Sequence, residues 1–172
     1  MKLKSIIILA ILSLNLYAIT VGQTAREVSI SGKDGGLVSD SSEWNSSTLK
    51  DKVFVLFYVD PDEKDTNNAF SAALKAKKFD RANYGSVAII NMAATWKPNF
   101  AIASALESKQ EEFPDTLYVK DLKSVLVNEW SLEDDASNVL IFSKNGELLF
   151  NQSGALNETD INNALKMIED NL

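Results

Sequence analysis

The sequence contains no cysteine and no histidine. Without cysteine the chain has no thiolate, which excludes disulfide exchange and thiol peroxidase chemistry. Without histidine it has no Ser-His-Asp or Cys-His catalytic site, and it is missing the commonest transition-metal ligand. Glycine and proline are also scarce, with seven and three residues. Gly35-Gly36 is not followed by the lysine and helix of a phosphate-binding loop, and we expect no bound cofactor.

The charge of the chain is acidic. Apart from Lys2 and Lys4, the chain has 15 basic and 24 acidic residues, a net charge of −9. Nucleic-acid affinity depends largely on Lys and Arg side chains that neutralise phosphates, so this balance argues against nucleic acid as a partner and against a DNA-binding regulator.

The first 18 residues have the pattern of a cleavable signal peptide. Lys2 and Lys4 precede an apolar run from Ile6 to Leu16, and Ala18 supplies the small residue expected at a cleavage site. The run is too short to span a bilayer, and no longer one follows, so we expect no membrane span in the mature chain. We therefore predict a periplasmic protein with a single domain over residues 19–172, a length typical of one domain.

The remaining chain alternates strands and helices. Val53–Val59 and the segment from Val87 to Met92 are apolar runs typical of buried strands. Asn145-Gly146 between two apolar runs predicts a β-hairpin, and Asn157 with Asp160 predicts the start of a last helix. Near the N-terminus, residues 28–30 and 37–38 flank a glycine-rich turn and predict another hairpin. This order predicts an α/β protein with a central mixed sheet, helices on both faces and an N-terminal hairpin extension.

Several short motifs, in order along the chain, resemble the YtfJ family of exported thioredoxin-like proteins. They are Trp44-Asn45-Ser46, Ile89-Ile90-Asn91, Leu106-Glu107-Ser108, Trp130-Ser131-Leu132 and Gly154-Ala155-Leu156. The resemblance implies a thioredoxin-like fold and an exported protein, and it implies little about biochemical activity.

The chain departs from working thioredoxins at the position of their Cys-x-x-Cys motif. That motif follows a central strand and begins a helix, where the helix dipole lowers the thiol pKa. In the alignment we prefer, Asp60 to Glu63 occupy this position. In the alternative, Thr95 to Phe100 occupy it, with Lys97 and Phe100 replacing the cysteines. Ser137 or Asn138 stands where thioredoxins have a cis-proline, and we expect a trans peptide bond there.

The segment after the first central strand is rich in carboxylates, at Asp60, Asp62, Glu63 and Asp65. Two interpretations are open. Asp60 as N-cap, Pro61 and Glu63 fit the first turn of a helix. Alternatively, the four carboxylates form a weak cation site, although their spacing is not that of an EF-hand.

Trp96 and Lys97 lie in a loop between a predicted strand and a predicted helix. Ligands of open α/β sheets bind beyond the carboxyl ends of the strands, so this loop and the Asp60 segment are the candidate binding surface. Trp96 either contacts a peptide or anionic ligand or simply covers the core. For Trp44 and Trp130 we favour packing.

Two functional hypotheses follow. The first is a non-catalytic module that binds an unidentified periplasmic protein or peptide; its candidate residues are Asp60, Lys64, Trp96, Lys97, Ser137 and Asn138. The second is an enzyme or metal-binding protein that uses carboxylates or a cation. We favour the first, because no pair of acidic residues stands out as a catalytic pair and no catalytic residue can be named.

Overall fold

The computed structural model describes residues 18–172. The predicted signal peptide lies outside the described residues except for Ala18. The strands are β1 Ser29–Ile30, β2 Gly35–Leu37, β3 Trp44–Asn45, β4 Val53–Val59, β5 Tyr84–Asn91, β6 Thr116–Asp121, β7 Ser137–Phe142 and β8 Leu148–Ser153. The helices are α1 Asn68–Lys77, α2 Asn99–Glu112, α3 Val125–Trp130 and α4 Glu158–Asn171, and the 3-10 turns are Gly32–Asp34 and Ser46–Thr48.

Six strands form one mixed sheet in the order β2-β6-β5-β4-β7-β8. The adjacent strands β4, β5 and β6 are parallel, whereas β7 runs antiparallel to β4, and β8 antiparallel to β7. Strand β4 lies in the middle of the sheet, between β5 and β7. Its apolar residues are covered on both faces, as its uninterrupted hydrophobic sequence predicts.

Alternate residues of β4 divide the core into two layers. Val53 and Val55 face α1 and α4, where they pack with Phe70 and Ile168. Leu56 and Tyr58 face the opposite side, where they pack with Trp44, Trp130 and the small two-stranded sheet of β1 and β3. Helix α2 covers the far end of the first face through Ile102 and Leu106. The predicted mixed sheet with helices on both faces is confirmed.

The N-terminal extension is antiparallel, but the strand partners differ from the predicted hairpin. Strand β1 pairs with β3, and β2 pairs with β6 at the edge of the large sheet. Gly35 permits this second pairing, because a Cβ atom at this position would lie 1.8 Å from the carbonyl oxygen of Lys120. A glycine-rich segment that resembles a tight turn is here a strand in close backbone contact with its neighbour.

The start of α1 also differs from the prediction. The helix begins at Asn68, not at Pro61, and residues 61–67 form consecutive turns. Asp60 accepts a hydrogen bond from the backbone N–H of Asp62 at 2.8 Å, which closes an Asx turn rather than capping a helix. In contrast, α4 has the predicted cap: Asn157 and Asp160 form a reciprocal capping box.

Within residues 18–172, no helix has both the length and the apolar character needed to cross a membrane.

Candidate functional site

The candidate site lies at the edge of the sheet where the parallel strands end. Asp60 follows β4 directly, Asn91 is the last residue of β5 and Asp121 is the last residue of β6. Because β7 is antiparallel to β4, its first residue, Ser137, pairs with Val59 and lies at the same edge. The sequence places these residues far apart, and the parallel pairing of the strands brings them together.

Asp62 joins the two loops that we considered as alternatives for the active-site position. The Thr95 hydroxyl donates a hydrogen bond of 2.7 Å to Oδ2 of Asp62, and the Lys97 ammonium forms an ion pair with Oδ1 of the same carboxylate. The bonds from Lys97 and Thr95 lower the pKa of Asp62 below its usual value. The β4–α1 and β5–α2 loops are therefore parts of one surface.

In the first alignment, the active-site position lies between β4 and α1. The Asp60 segment follows β4, the strand with a parallel neighbour, β5, on one side and the start of β7 on the other. No cis peptide bond occurs within residues 18–172, and Ser137 and Asn138 are in ordinary strand conformation.

Asp60 is buried at this edge, with 5% of its surface exposed. Burial raises its pKa, the hydrogen bond from the Asp62 backbone offsets part of this rise, and the carboxylates of Asp62, Asp135 and Glu63 raise it further. Asp60 therefore carries its negative charge at a cost in free energy, which is a common property of functional carboxylates and also of structural ones.

Trp96 and Phe100 are exposed to solvent. Trp96 has 88% and Phe100 has 78% of its surface accessible. The interpretation that Trp96 covers the core is therefore wrong: its indole ring lies on the outside of the loop that Asp62 holds. Trp44 and Trp130 are each 1% exposed, which confirms that they are packing residues. We call Trp96 and Phe100 the aromatic patch.

Ser137 and Asn138 are buried and bonded within the protein. The Asn67 side chain donates to the Ser137 hydroxyl at 2.9 Å, and the Asn138 amide donates to the carbonyl oxygens of Tyr58 and Glu133 at 3.3 and 2.9 Å. These bonds anchor the start of β7 beside the end of β4.

Lys64 remains on the surface in an ion pair of 3.0 Å with Asp65. Of the candidate binding residues, Trp96, Lys97 and Lys64 are thus accessible, whereas Asp60, Ser137 and Asn138 are buried.

A polar network under the site was not predicted from the sequence. The Asn91 amide donates to Oδ1 of Asp134 at 2.7 Å, and the Ser124 hydroxyl donates to Oδ1 of Asn91 at 3.0 Å. The Tyr58 hydroxyl donates to the buried carboxylate of Asp121 at 3.1 Å. The available signal was a polar residue at the end of an apolar strand, as in Ile89-Ile90-Asn91 and Val119-Lys120-Asp121.

The four carboxylates considered as a cation site do not converge. Each carboxylate has different partners. Asp60 accepts a hydrogen bond from the Asp62 backbone, and Asp62 accepts one from Thr95 and forms an ion pair with Lys97. Glu63 accepts from Thr66, and Asp65 accepts from Lys64 and Asn68. In residues 18–172, no group of three acidic side chains has the geometry to hold a metal ion. The acidic segment instead organises turns and loop contacts.

A comparison with models of known protein families shows the family of this chain. Residues 19–171 match the family model YtfJ_HI0045, described as a bacterial protein of unknown function. The chain belongs to this family. A relative from Escherichia coli K12, the uncharacterized protein YtfJ, is 26% identical, and the match covers 98% of each chain. An uncharacterized protein from Haemophilus influenzae is 29% identical, with 83% of this chain and 77% of the relative covered.

Solved structures confirm the thioredoxin-like fold of this YtfJ family member. A thiol-disulfide isomerase from Corynebacterium glutamicum is 12% identical with a TM-score of 0.57, and the match covers 90% of this chain and 97% of that one. A peroxiredoxin-like protein from Aquifex aeolicus is 14% identical with a TM-score of 0.58, covering 88% and 89% of the two chains. At these identities the likeness concerns the fold alone.

Proposed function

We propose that this chain is an exported, periplasmic protein of thioredoxin-like fold that binds a protein or peptide partner and performs no redox chemistry. The observation that carries the proposal is the 88% exposed Trp96 at the carboxyl edge of the parallel strands. Exposed aromatic side chains are costly in water and are enriched at the centres of protein interfaces. Ligands of open α/β sheets also bind beyond this edge.

The absence of cysteine gives the reason for a binding role rather than a thiol-based one. Disulfide exchange proceeds by attack of a thiolate on a disulfide, and no residue of this chain supplies that thiolate. The scaffold retains a surface held by Asp62, Thr95 and Lys97. Purified protein that reduced insulin disulfides or consumed peroxide with thiol cofactors would contradict this part of the proposal.

The aromatic patch is the part of this surface that can contribute most to partner affinity. Truncating a central interface tryptophan typically costs 2 kcal/mol or more, which corresponds to about a thirtyfold weaker dissociation constant. Trp96 is suited to this role because little of its surface is committed to packing within the protein.

The test is affinity capture from a cell-envelope extract with the wild type, Trp96→Ala and Val21→Ala. Val21 is a matched control, because it is also apolar and exposed, at 55%, and belongs to the N-terminal segment rather than to the aromatic patch. We expect recovery of the partner to fall at least about tenfold with Trp96→Ala and to be unchanged with Val21→Ala. Equal recovery by all three proteins would contradict the proposed binding surface.

The periplasmic address has its own test. The basic start, the apolar run and Ala18 support cleavage before Ile19. Cell fractionation followed by N-terminal sequencing should find the mature protein in the periplasm with Ile19 as its first residue. A cytoplasmic protein that retains Met1 or Lys2 would contradict the proposed export.

A further inference from the structure

Two exposed aromatic side chains stand close together in the sequence, in the loop before α2 and in its first turn. Phe100 is the second residue of α2, and Trp96 precedes that helix by three residues. Only three large hydrophobic side chains are strongly exposed in residues 18–172, and these are two of them. The aromatic patch is therefore the main apolar surface available to a partner.

The segments at the same edge as this patch are rich in carboxylates. The four segments at this edge, residues 60–65, 91–100, 121–124 and 133–138, contain eight carboxylates and three lysines. Asp62 contacts Thr95 and Lys97, the residues on either side of Trp96. Asp134 contacts Asn91, where the chain leaves β5 towards Trp96. Asp135 precedes Ala136, whose carbonyl oxygen accepts a hydrogen bond of 2.9 Å from the backbone N–H of Asp60. The charge of Asp62 is matched by Lys97, so we call the other three, Glu63, Asp134 and Asp135, the acidic rim.

Two of the three lysines at this edge have their charge matched already. Lys97 is paired with Asp62, and Lys64 is paired with Asp65. An anionic ligand at Trp96 would have to displace Asp62 from Lys97 and would meet the acidic rim. The geometry thus disfavours an anionic ligand at Trp96 and Lys97.

We propose that the partner segment bound at the aromatic patch is cationic and apolar: a peptide segment that carries Lys or Arg beside a hydrophobic side chain. The inference rests on the proposed function and specifies its partner. The hydrophobic side chain packs against Trp96 and Phe100, and the cation interacts with the acidic rim. An ammonium or guanidinium group is also attracted to the face of an exposed indole ring.

The same charge pattern separates a protein partner from a lipid surface. Trp and Phe side chains also insert into membranes, but bilayers with anionic headgroups repel a rim of carboxylates. The acidic rim therefore selects a basic protein segment and disfavours an anionic membrane.

Trp96 gives the experiment a direct signal. Trp44 and Trp130 are each 1% exposed, so a ligand at the patch changes mainly the fluorescence of Trp96. The probes are three blocked pentapeptides that have Leu at the second and fourth positions and Lys, Gln or Glu at the other three. We expect a saturable blue shift with the Lys peptide and a dissociation constant at least about tenfold lower than for the other two.

The charge contribution is tested with two matched variants. Asp135 and Asp51 are both exposed and both have left-handed backbone, with φ of 49° and 69°. Asp51 precedes β4 and Asp135 lies at its other end, and the seven residues of β4 span about 23 Å. Asp135→Asn should weaken binding of the Lys peptide about twofold to threefold, whereas Asp51→Asn should leave it unchanged.

Two results with the peptides would overturn the inference: no response to the Lys peptide, or equal or tighter binding of the Glu or Gln peptide. Equal effects of Asp135→Asn and Asp51→Asn on binding of the Lys peptide would also overturn it, and so would comparable binding of the protein to vesicles of anionic lipid. Lys-peptide affinity that is unchanged in Trp96→Ala, measured by calorimetry, would also overturn it. The proposed function fails by a different result, which is unchanged recovery of the partner from extract by Trp96→Ala. A patch that prefers the Glu peptide would thus refute the cationic partner and leave the binding role intact.

Discussion

The hydroxyl group of Tyr58 donates a hydrogen bond of 3.1 Å to Oδ2 of Asp121, a residue with no exposed surface. The same carboxylate accepts bonds from the backbone N–H groups of Lys123 and Leu126 at 3.0 and 3.3 Å. Tyr58 lies on the central strand and Asp121 ends β6, two strands away. The pair therefore links the end of β6 and the start of α3 to the middle of the sheet.

Replacement of Tyr58 by Phe should destabilise the protein. The substitution removes one of three donors to a buried carboxylate, and a buried charged group that loses a partner costs about 1–3 kcal/mol. Tyr118→Phe is the control, because Tyr118 is only partly buried and its hydroxyl makes no hydrogen bond in the described part of the chain. Urea unfolding should show a clear loss for Tyr58→Phe and a change of less than about 0.5 kcal/mol for Tyr118→Phe. Equal stability of the two variants would refute the role of the bond.

Alkaline pH should destabilise the fold partly through Tyr84. Burial raises the pKa of Tyr84 from 10.0 to about 12. Between these values the folded protein holds a proton that the unfolded chain releases, so the stability contribution of Tyr84 is complete below pH 10 and is lost as the pH rises towards 12. Tyr84→Phe should reduce the slope of unfolding free energy against pH in this window by about 1.4 kcal/mol per pH unit. Identical slopes for wild type and variant would contradict the raised pKa.

Asp60→Asn should stabilise the protein near neutral pH. The folded-state pKa of Asp60 is raised above its ordinary value of 3.8, so the charged form is disfavoured by folding and stability falls as the pH rises through the folded-state pKa. Asn keeps the oxygen that accepts from the Asp62 backbone and removes the charge. The gain in melting temperature should disappear at acidic pH, where Asp60 is protonated.

Asp62→Asn is the control with the opposite sign. Its pKa is lowered by Lys97 and Thr95, so Asp62 stabilises the fold above its ordinary pKa, and this contribution is lost as the pH falls through the lowered value. Asp62→Asn should lower the melting temperature near neutral pH and have no effect in acid. Changes of the same sign in the two variants would show that these carboxylates do not have the opposite environments described above.

Gly35→Ala should disrupt the edge of the large sheet. The new Cβ would lie 1.8 Å from the carbonyl oxygen of Lys120, and the φ of 130° is unfavourable for Ala. Gly22→Ala is the matched control, since Gly22 also has positive φ, 86°, with no atom within 4 Å of the new Cβ. We expect Gly35→Ala to cost at least about 2 kcal/mol more than Gly22→Ala in urea unfolding, since the backbone must move.

The elements that the sequence predicts well are those whose signals are local. The apolar runs of β4 and β5, the Asn145-Gly146 hairpin and the capping box of Asn157 and Asp160 all appear as expected. Each of these depends on side-chain periodicity, turn geometry or a cap over a few residues.

The elements that were missed depend on distant neighbours. Asp60 has the chemistry of a helix cap, yet its side chain closes a turn, and α1 starts later. Gly35 belongs to a strand because β6 lies beside it. A tryptophan usually packs against the core, but whether Trp96 is covered depends on the neighbouring loops, which leave its ring outside. The buried positions of Asn91 and Asp121 follow from strand pairing, which a single segment does not specify.

The contacts of Asp62 have a consequence for how the surface can diverge. A single carboxylate fastens the β4–α1 loop to the β5–α2 loop through Thr95 and Lys97. An insertion or deletion in either loop would separate Asp62 from Thr95 and Lys97, and it would leave Lys97 as an unpaired cation beside Trp96. Changes in the length of the two loops should therefore occur together. A relative that has lost the contacts of Asp62 with Thr95 and Lys97 should recognise partners of a different charge.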